Sequence, residues 1–216
     1  METMPLFPLQ RALLPGQPMV LQVFEARYHA LLADIGLVPG VEFEPTDPGE
    51  RPRFGVVYIK HGAEIGGSAT HHDVGTIVRV EAARDLDDGR RMIVVLGERL
   101  FRVVETLPDD PYPRAVVDPS AEIDEAFGGD VGVDELGKAL RRYLAVLAES
   151  GRPANIAIEI SSNAAMASYQ VASLLRLSNP EVQELMEANG VEERVQREVR
   201  LLELETQLLE RTMGAG

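Results

Sequence analysis

The opening 35 residues constrain the fold more than any other part of this sequence. Met4–Leu9 is an apolar run, the Pro15–Gly16 pair interrupts it, and Met19–Phe24 resumes it. Both runs are too apolar for a solvated tail, so they predict strands tied into a core. From Glu25 the apolar period becomes helical, with a single stripe formed by Phe24, Tyr28, Leu31, Leu32 and Ile35. The opening therefore predicts strand, turn, strand and amphipathic helix.

Four further stretches are rich in β-branched and aromatic residues and predict strands. They are Phe54–Lys60, Val74–Glu81, the long run Arg91–Glu105 and Tyr112–Asp118. Within the long run, Gly97 predicts a bulge or sharp bend where one strand becomes two. Strands outnumber helices here and no strand–helix–strand unit repeats. We therefore expect a barrel-like, mostly antiparallel β domain with one helix rather than a doubly wound nucleotide-binding fold.

The second half of the chain changes from strand to helix periodicity. Residues 119–130 are acidic and rich in small residues, which is typical of a linker. Four helical segments follow, and the last runs from Val191 to about Met213. We expect an α+β protein with a β-rich domain at 1–118, a linker at 119–130 and an α-helical bundle at 131–216. Apolar residues around Leu201–Glu205 occupy more than one helix face, so they either pack in the core or contact a partner or a second copy of the chain.

Charge and composition exclude several classes of function. The 35 acidic residues outnumber the 21 basic ones, giving a net charge of −14, which disfavours nucleic acid as a partner. The absence of cysteine excludes disulfides and thiolate metal sites. No apolar run approaches the roughly 20 residues that span a bilayer, and no leader segment is recognisable. We therefore expect a cytoplasmic protein without membrane contact.

One segment imitates a nucleotide-binding motif. Gly132–Lys138 has the spacing of a phosphate-binding loop up to its lysine, but the next residue is Ala139 instead of serine or threonine. The usual magnesium ligand is therefore missing, and two acidic residues would face the phosphates. The segment is better interpreted as the start of a helix, and we expect no cofactor.

The stretch from His61 to Asp73 is polar and glycine-rich and is predicted to be an exposed loop between two strands. It contains Ser68, His71, His72 and Asp73, the residue types of a hydrolase triad. The imidazoles of His61, His71 and His72 with the Asp73 carboxylate could also bind a metal. Neighbouring residues cannot easily face one another as nucleophile and base, so a solvated loop is favoured. A small-molecule- or metal-dependent enzyme using this loop stays open as the alternative function.

Several strings of residues resemble one family. PLFPLQRALLPGQPMVLQVFEARYHALL is similar to the opening of the Lon protease N-terminal domain, the LON substrate-binding domain. The order of later motifs continues the resemblance over nearly the full chain: Phe54–Val57, Gly62–Gly67, His72–Ile77, Gly97–Val103 and Leu177–Arg194. In the full protease such a domain helps to engage unfolded or tagged protein segments and supports assembly.

The resemblance implies a binding function without catalysis. Neither an ATPase module nor a Ser-Lys peptidase module follows in this sequence. We therefore expect a non-enzymatic protein- or peptide-binding domain with no catalytic residues, no cofactor and no metal. Its partners would be unfolded protein or peptide segments and a separate protease, to which it presents clients as an adaptor. Self-association through the C-terminal helix is a further expectation.

Four residues are candidates for peptide contact. Glu25 and Arg27 belong to the FEARY motif, where charge placement resembles that of the family. They either recognise a peptide or stabilise the helix start, where the helix dipole favours a carboxylate and an ion pair can form to a neighbouring strand. Leu13 and Leu14 lie beside the Pro-Gly turn and are either an exposed apolar contact or part of the core.

Overall fold

The residues described in the computed structural model are 1–44, 49, 51–67, 69–119, 132–153 and 158–214. They separate into a β-rich unit and a helical unit. The β-rich unit comprises Met1–Glu122 together with Ser178–Met186, and the helical unit comprises Ile123–Leu177 together with Glu187–Gly216. Of the linker predicted at 119–130, all but Pro119 lies outside the described residues.

Six strands and one helix make up most of the β-rich unit. In chain order they are β1 (Glu2–Leu9), β2 (Pro18–Val23), α1 (Ala26–Asp34), β3 (Arg53–His61), β4 (Thr70–Asp85), β5 (Arg91–Leu107) and β6 (Arg114–Asp118). The strand order is β2-β5-β4-β3-β1-β6, and β5 also pairs with β6. Five strands thus close into a ring, and β2 lies outside it. Only the β1–β3 pair is parallel among these pairings, so the predicted mostly antiparallel, barrel-like α+β architecture is confirmed.

The length of β5 explains why β2 lies outside the ring. The first part of β5 pairs with β2, from Val23 opposite Arg91 to Pro18 opposite Leu96. Its last part pairs with β6, from Arg102 to Leu107. Along its other edge, β5 pairs with β4 from Arg91 to Arg102. One edge of β5 therefore holds two different strands in succession.

Gly97 lies between those two parts of β5. The β4–β5 register shifts between the pairs Ile77–Arg99 and Val78–Gly97, which leaves one extra residue on β5. The predicted bulge is confirmed, but the prediction that the strand splits in two is wrong because pairing with β4 resumes on both sides. Glycine is needed here because a Cβ would lie 2.5 Å from the carbonyl oxygen of Leu14. Gly97 also donates its amide to the carbonyl of Gln17 at 3.0 Å.

Aromatic stacking places α1 on the sheet. The rings of Phe7 on β1 and Tyr28 on α1 stack with centroids 4.0 Å apart, and Phe54 on β3 lies 5.9 Å from Phe7. Tyr28, Leu31 and Leu32 are buried, as the helical stripe predicted. Phe24 is the exception. It precedes the helix, whose N-cap is Glu25, and its side chain is exposed.

The helical unit contains α2 (Val133–Glu149), α3 (Ala164–Leu174) and α5 (Val191–Gly214). The sequence predicted four helices within 131–216, and the remaining one is α4 (Asn179–Met186). It belongs to the β-rich unit and not to the helical unit. Two hydrogen bonds explain this placement. Gln183 donates to the carbonyl of Val74 on β4 at 3.0 Å, and Asn179 donates to the carbonyl of Gln10 at 3.0 Å. Across the described residues, no helix is long and apolar enough to span a bilayer.

A buried polar network joins α3 to α5. The Ser168 hydroxyl donates to Glu198 Oε1 at 2.7 Å and accepts from Arg194 Nε at 2.8 Å. The Arg194 guanidinium lies 4.4 Å from the ring centroid of Tyr169. Burial raises the pKa of Glu198 from 4.5 to about 8, although the Ser168 hydrogen bond and the Arg194 charge oppose the shift. Folding therefore favours the protonated carboxyl.

Substituting Gly97→Ala is expected to destabilise the β-rich unit by about 2 to 4 kcal/mol, because the new methyl group would force Leu14 and β5 apart. Urea unfolding measures the loss. Gly67→Ala is the matched control, since a Cβ there meets no atom within 4 Å. Equal stability of the two variants would contradict the close approach.

Substituting Glu198→Gln is expected to change how stability depends on pH. Because the pKa of Glu198 is raised in the folded state, its stabilising contribution is complete below about pH 4.5 and is lost as the pH rises to about 8. Glutamine cannot ionise, so the variant should gain stability relative to the natural chain over that interval, by a few kcal/mol at most. Thermal unfolding followed by circular dichroism at several pH values measures the difference. A difference independent of pH would show that Glu198 does not titrate in this range.

Candidate peptide-binding surface

Leu13 and Leu14 are part of the core. Their exposed fractions are 1% and 0%, and Leu13 belongs to the same cluster of buried side chains as Phe7 and Tyr28. The Thr76 hydroxyl also donates to the Leu13 carbonyl. The prediction of an exposed apolar contact at these leucines is therefore wrong, and the core alternative is the one observed. In the sequence, two leucines that are buried beside a turn cannot be distinguished from two leucines that are exposed there.

Glu25 and Arg27 are engaged with each other and with the segment Gly62–Gly67, which we call the β3–β4 loop. Their side chains form an ion pair at 3.2 Å. Glu25 Oε2 accepts from the amide of Gly66 at 3.1 Å. Arg27 donates to the carbonyl oxygens of Glu64 and Gly67 at 3.2 and 3.3 Å, and its guanidinium lies 4.5 Å from the Tyr28 ring centroid. These contacts fasten the loop to the start of α1.

A second set of hydrogen bonds holds the other side of the β3–β4 loop. The Glu64 carboxylate accepts from the backbone amide of Gln10 at 2.7 Å, and the Gln10 side chain donates to the carbonyl of Gly62 at 3.2 Å. The loop is thus tied both to the turn after β1 and to the start of α1. We call the group Glu25, Arg27, Glu64 and Gly66 the loop anchor. The sequence predicted an ion pair from the helix start to a neighbouring strand; the ion pair observed joins Glu25 to Arg27, and hydrogen bonds connect both residues to the loop.

Apolar side chains beside the loop anchor are exposed. Phe24 immediately precedes Glu25 and is 51% exposed, and Ile65 lies inside the anchored loop and is 63% exposed. Val20, on the outward face of β2, is exposed as well. We call Val20, Phe24 and Ile65 the apolar rim. Exposed apolar groups held on a rigid support are typical of protein-binding surfaces.

The rim includes the outward face of β2, whose second edge is open among the described residues. Gly97 donates to the Gln17 carbonyl, so Gln17 occupies a hydrogen-bonded position opposite β5. Antiparallel pairs alternate between hydrogen-bonded and non-hydrogen-bonded positions. Val20 and Gln22 are therefore non-hydrogen-bonded toward β5, and their backbone N–H and C=O groups point to the other edge. In the described part of the chain, β5 is the only strand that pairs with β2.

The loop predicted from His61 to Asp73 is shorter in the structure than the sequence indicated. β3 extends to His61 and β4 begins at Thr70, so His71, His72 and Asp73 lie on a strand instead of in an exposed loop. The His72 ring stacks on Tyr58 at 5.3 Å, and the Nδ1 atom of His71 lies 2.8 Å from the carbonyl of His72. Ser68 lies outside the described residues. No group of three or more potential metal ligands occurs among those that are described.

The segment that imitates a phosphate-binding loop opens a helix. Gly132 is the N-cap of α2, with a left-handed φ of 71°, and Val133–Lys138 form its first turns. Asp134 and Glu135 lie in the first turn, where the helix dipole favours carboxylates and where their negative charges would repel a phosphate. The interpretation as a helix start is confirmed.

Comparison with known proteins identifies the family. A model of the ATP-dependent protease La (LON) substrate-binding domain matches residues 3–203. The chain belongs to this family. The resemblance noted in the sequence is thereby confirmed over almost the full length. The match supports a substrate-binding role like that of the Lon N-terminal domain.

Two solved structures are similar to the LON domain described here. The crystal structure of a Lon N-terminal domain protein from Xanthomonas campestris is 25% identical, with a TM-score of 0.59, and the match covers 91% of this chain and 96% of that one. The N-terminal domain of Mycobacterium avium complex Lon protease is 14% identical, with a TM-score of 0.56 and coverage of 95% and 98%. The second likeness concerns the fold alone.

Two curated proteins are similar in sequence and much longer. "Lon protease" of Flavobacterium johnsoniae is 26% identical over 143 residues, 64% of this chain and 17% of that protein. "Lon protease 2" of Myxococcus xanthus is 24% identical over 220 residues, 96% of this chain and 24% of that protein. The chain thus spans at most about a quarter of these relatives.

Substituting Arg27→Gln is expected to loosen the β3–β4 loop, because it removes the ion pair to Glu25 and the hydrogen bonds to two loop carbonyls. Amide hydrogen exchange at Gly66 should accelerate by about tenfold. Arg99→Gln, an exposed arginine on β5, is the control. Unchanged exchange at Gly66 in the Arg27 variant would show that the loop does not depend on the anchor.

Proposed function

We propose that this domain binds extended segments of unfolded polypeptide at the apolar rim and the open edge of β2. The observation that carries the proposal is the combination of exposed apolar side chains on and beside β2 with unused backbone hydrogen-bonding groups of that strand. Phe24 and Val20 offer apolar contact, and Val20 and Gln22 offer N–H and C=O groups. A client strand could add to this edge by main-chain pairing.

This mode of binding suits a domain that must accept many sequences. Main-chain hydrogen bonds are available from any client except at proline, so they provide affinity without strict sequence choice. Apolar side chains of the client would then cover the rim, which favours unfolded segments because folded proteins bury such groups. β2 carries no charged residue that would oppose the approach of an apolar strand.

Glu25 and Arg27 are proposed to position the surface instead of contacting the client. Their side chains are about four-fifths buried and already engaged with each other and with the β3–β4 loop. Their effect on binding would pass through Ile65, which the anchored loop presents, and through Phe24, which adjoins Glu25. This gives the two residues singled out by the sequence a structural reason to matter for binding.

We further propose that the domain acts without catalysis and presents bound clients to a protease. The family match supports the binding half of this proposal. The net charge of −14 would favour clients that are neutral or basic over acidic ones, because long-range attraction raises their rate of encounter.

The double substitution Phe24→Ser and Ile65→Ser tests the surface. The probe is reduced, carboxamidomethylated lactalbumin carrying a fluorophore, a permanently unfolded polypeptide, and binding is followed by fluorescence anisotropy. We expect affinity to fall by about tenfold or more, since two apolar contacts are removed. Val104→Ser is the control, because Val104 is as exposed as Phe24 but lies on the later part of β5. If the double variant bound the probe as tightly as the natural chain does, the apolar rim would be rejected as the site.

A further inference from the structure

The outward face of the sheet beside β2 carries a cluster of apolar side chains. Directly opposite residues of paired strands point to the same face, so the strand register places Val20 beside Val94 and places Ala82 on the other side of Val94. Met92 and Leu96, two residues before and after Val94, share its face because side chains alternate along a strand. Val20 is 59% exposed, and the other four are half-buried. We call these five residues the outer apolar face, and it joins the apolar rim through Val20.

The opposite face of β2 has no such surface to offer. Met19, Leu21 and Val23 point inward and are 7%, 8% and 1% exposed, within the buried cluster that also contains Tyr28. A chain that lay along β2 would therefore meet exposed apolar side chains of β2 and β5 on the outward side only. An apolar residue in that chain gains contact with them only if its side chain points outward.

The open edge of β2 repeats with the same period as its outward side chains. Val20 and Gln22 direct their side chains outward and their N–H and C=O groups to the open edge. In an antiparallel pair, residues at hydrogen-bonded positions lie directly opposite each other and exchange both bonds. Client residues opposite Val20 and Gln22 would therefore form the main-chain bonds and also point their side chains outward. The client residue opposite Leu21 would do neither.

We propose that the domain selects clients in which apolar residues recur at every second position, and that these clients add to β2 as an antiparallel strand with the apolar residues over the outer apolar face. This inference rests on the proposed binding of clients at β2 and adds the pattern that a client must carry. We choose the antiparallel direction because antiparallel ladders are the more stable per residue. The client class is thus the unfolded form of amphipathic β-strands, whose apolar residues alternate with polar ones.

Polar and charged groups border the outer apolar face and limit its extent. Arg84 lies opposite Met92 on β4, and the Gln22 side chain accepts a hydrogen bond from Arg90 at 2.7 Å. A client residue opposite Gln22 would therefore meet a polar neighbour, whereas one opposite Val20 would meet an apolar row. The intervening client residues point away from this face, so they can be polar or charged without loss. Clients with a helical period would fit poorly in an extended form, because only some of their apolar residues would point outward.

Two fluorescein-labelled peptides of the same composition test the pattern. Both contain three valines and four lysines: in one peptide the two residue types alternate, and in the other the three valines are consecutive. In an extended chain the alternating peptide directs all three valines to one face and the other peptide at most two. Fluorescence anisotropy should therefore show about tenfold tighter binding of the alternating peptide.

The outcome of this comparison separates the pattern from client binding itself. Equal affinities of the two peptides, with the unfolded lactalbumin probe still bound, would overturn the pattern and leave the proposed function intact. Failure of lactalbumin to bind would remove the proposed function, and this inference with it.

Substituting Val20→Thr and Val94→Thr tests the outer apolar face itself. Threonine keeps the shape and strand preference of valine but places a hydroxyl under the client, so the double variant should lose most of the preference for the alternating peptide. Val104→Thr is the matched control, because Val104 is exposed on the later part of β5. An unchanged preference in the double variant would overturn the proposal. So would a natural chain that is dimeric and becomes monomeric in the double variant, since a second copy would then cover the face.

Backbone N-methylation of the alternating peptide tests the direction of pairing. The methyl group replaces the N–H and removes one main-chain donor without changing the side chain. In the antiparallel arrangement the valines donate to β2, so N-methylation of the central valine should lower affinity by about tenfold. N-methylation of the backbone at a neighbouring lysine should change affinity by no more than about twofold, because that N–H points away from β2. In a parallel arrangement the neighbouring residues would donate instead, so the reversed pattern, or equal losses at both positions, would contradict antiparallel addition.

Discussion

The hydrogen-bonding capacity of β5 is the constraint on which the β-rich unit depends. One edge of this 17-residue strand serves β4, and the other edge serves β2 first and β6 afterwards. Pairing with β6 closes the ring of strands, and pairing with β2 adds a strand outside it. The exchange between the two partners occurs where Gly97 permits the backbone of Leu14 to approach. The same approach lets the Gly16 amide, in the turn after β1, donate to the Gly97 carbonyl at 2.9 Å.

The position of β2 determines what the domain can offer to a partner. A strand inside the ring would have both edges satisfied, whereas β2 has one edge paired with β5 and, among the described residues, one edge open. Its inward side chains join the core, so the strand is rigid, and its outward side chains continue into Phe24. The loop anchor then adds Ile65 beside this face. Rigidity and exposure thus come from the same alternation of side chains along one strand.

The sequence predicted the fold class and most elements because their signals are local. Period-two and helical patterns located the strands and helices, and the bulge at Gly97 followed from a glycine in a strand. The candidate site was harder. Leu13 and Leu14 were singled out as apolar residues near a turn, but exposure depends on the distant residues that cover them, such as those of β4. Phe24 was assigned to the buried stripe of a helix that begins only after Glu25.

The features that the sequence did not indicate, Ile65 and the open edge of β2, both depend on contacts between distant parts of the chain. The importance of Ile65 depends on hydrogen bonds between a loop and residues about 40 positions earlier, which no local pattern reveals. The open edge of β2 depends on strand order, which is also non-local. The position of Glu25 at a helix start is a local signal that the sequence does carry. The sequence predicts an ion pair to a neighbouring strand, however, whereas Glu25 pairs with Arg27. Their partners in the loop could be identified only from the folded chain.

The most direct test of client binding at β2 is residue-specific amide hydrogen exchange by NMR, with and without an excess of the unfolded lactalbumin probe. If a client strand adds to the open edge, the amides of Val20 and Gln22 should become protected on binding. The amides of Met19 and Leu21, already bonded to β5, should change little. Protection elsewhere, with Val20 and Gln22 exchanging as fast as in the free protein, would contradict main-chain pairing at this edge.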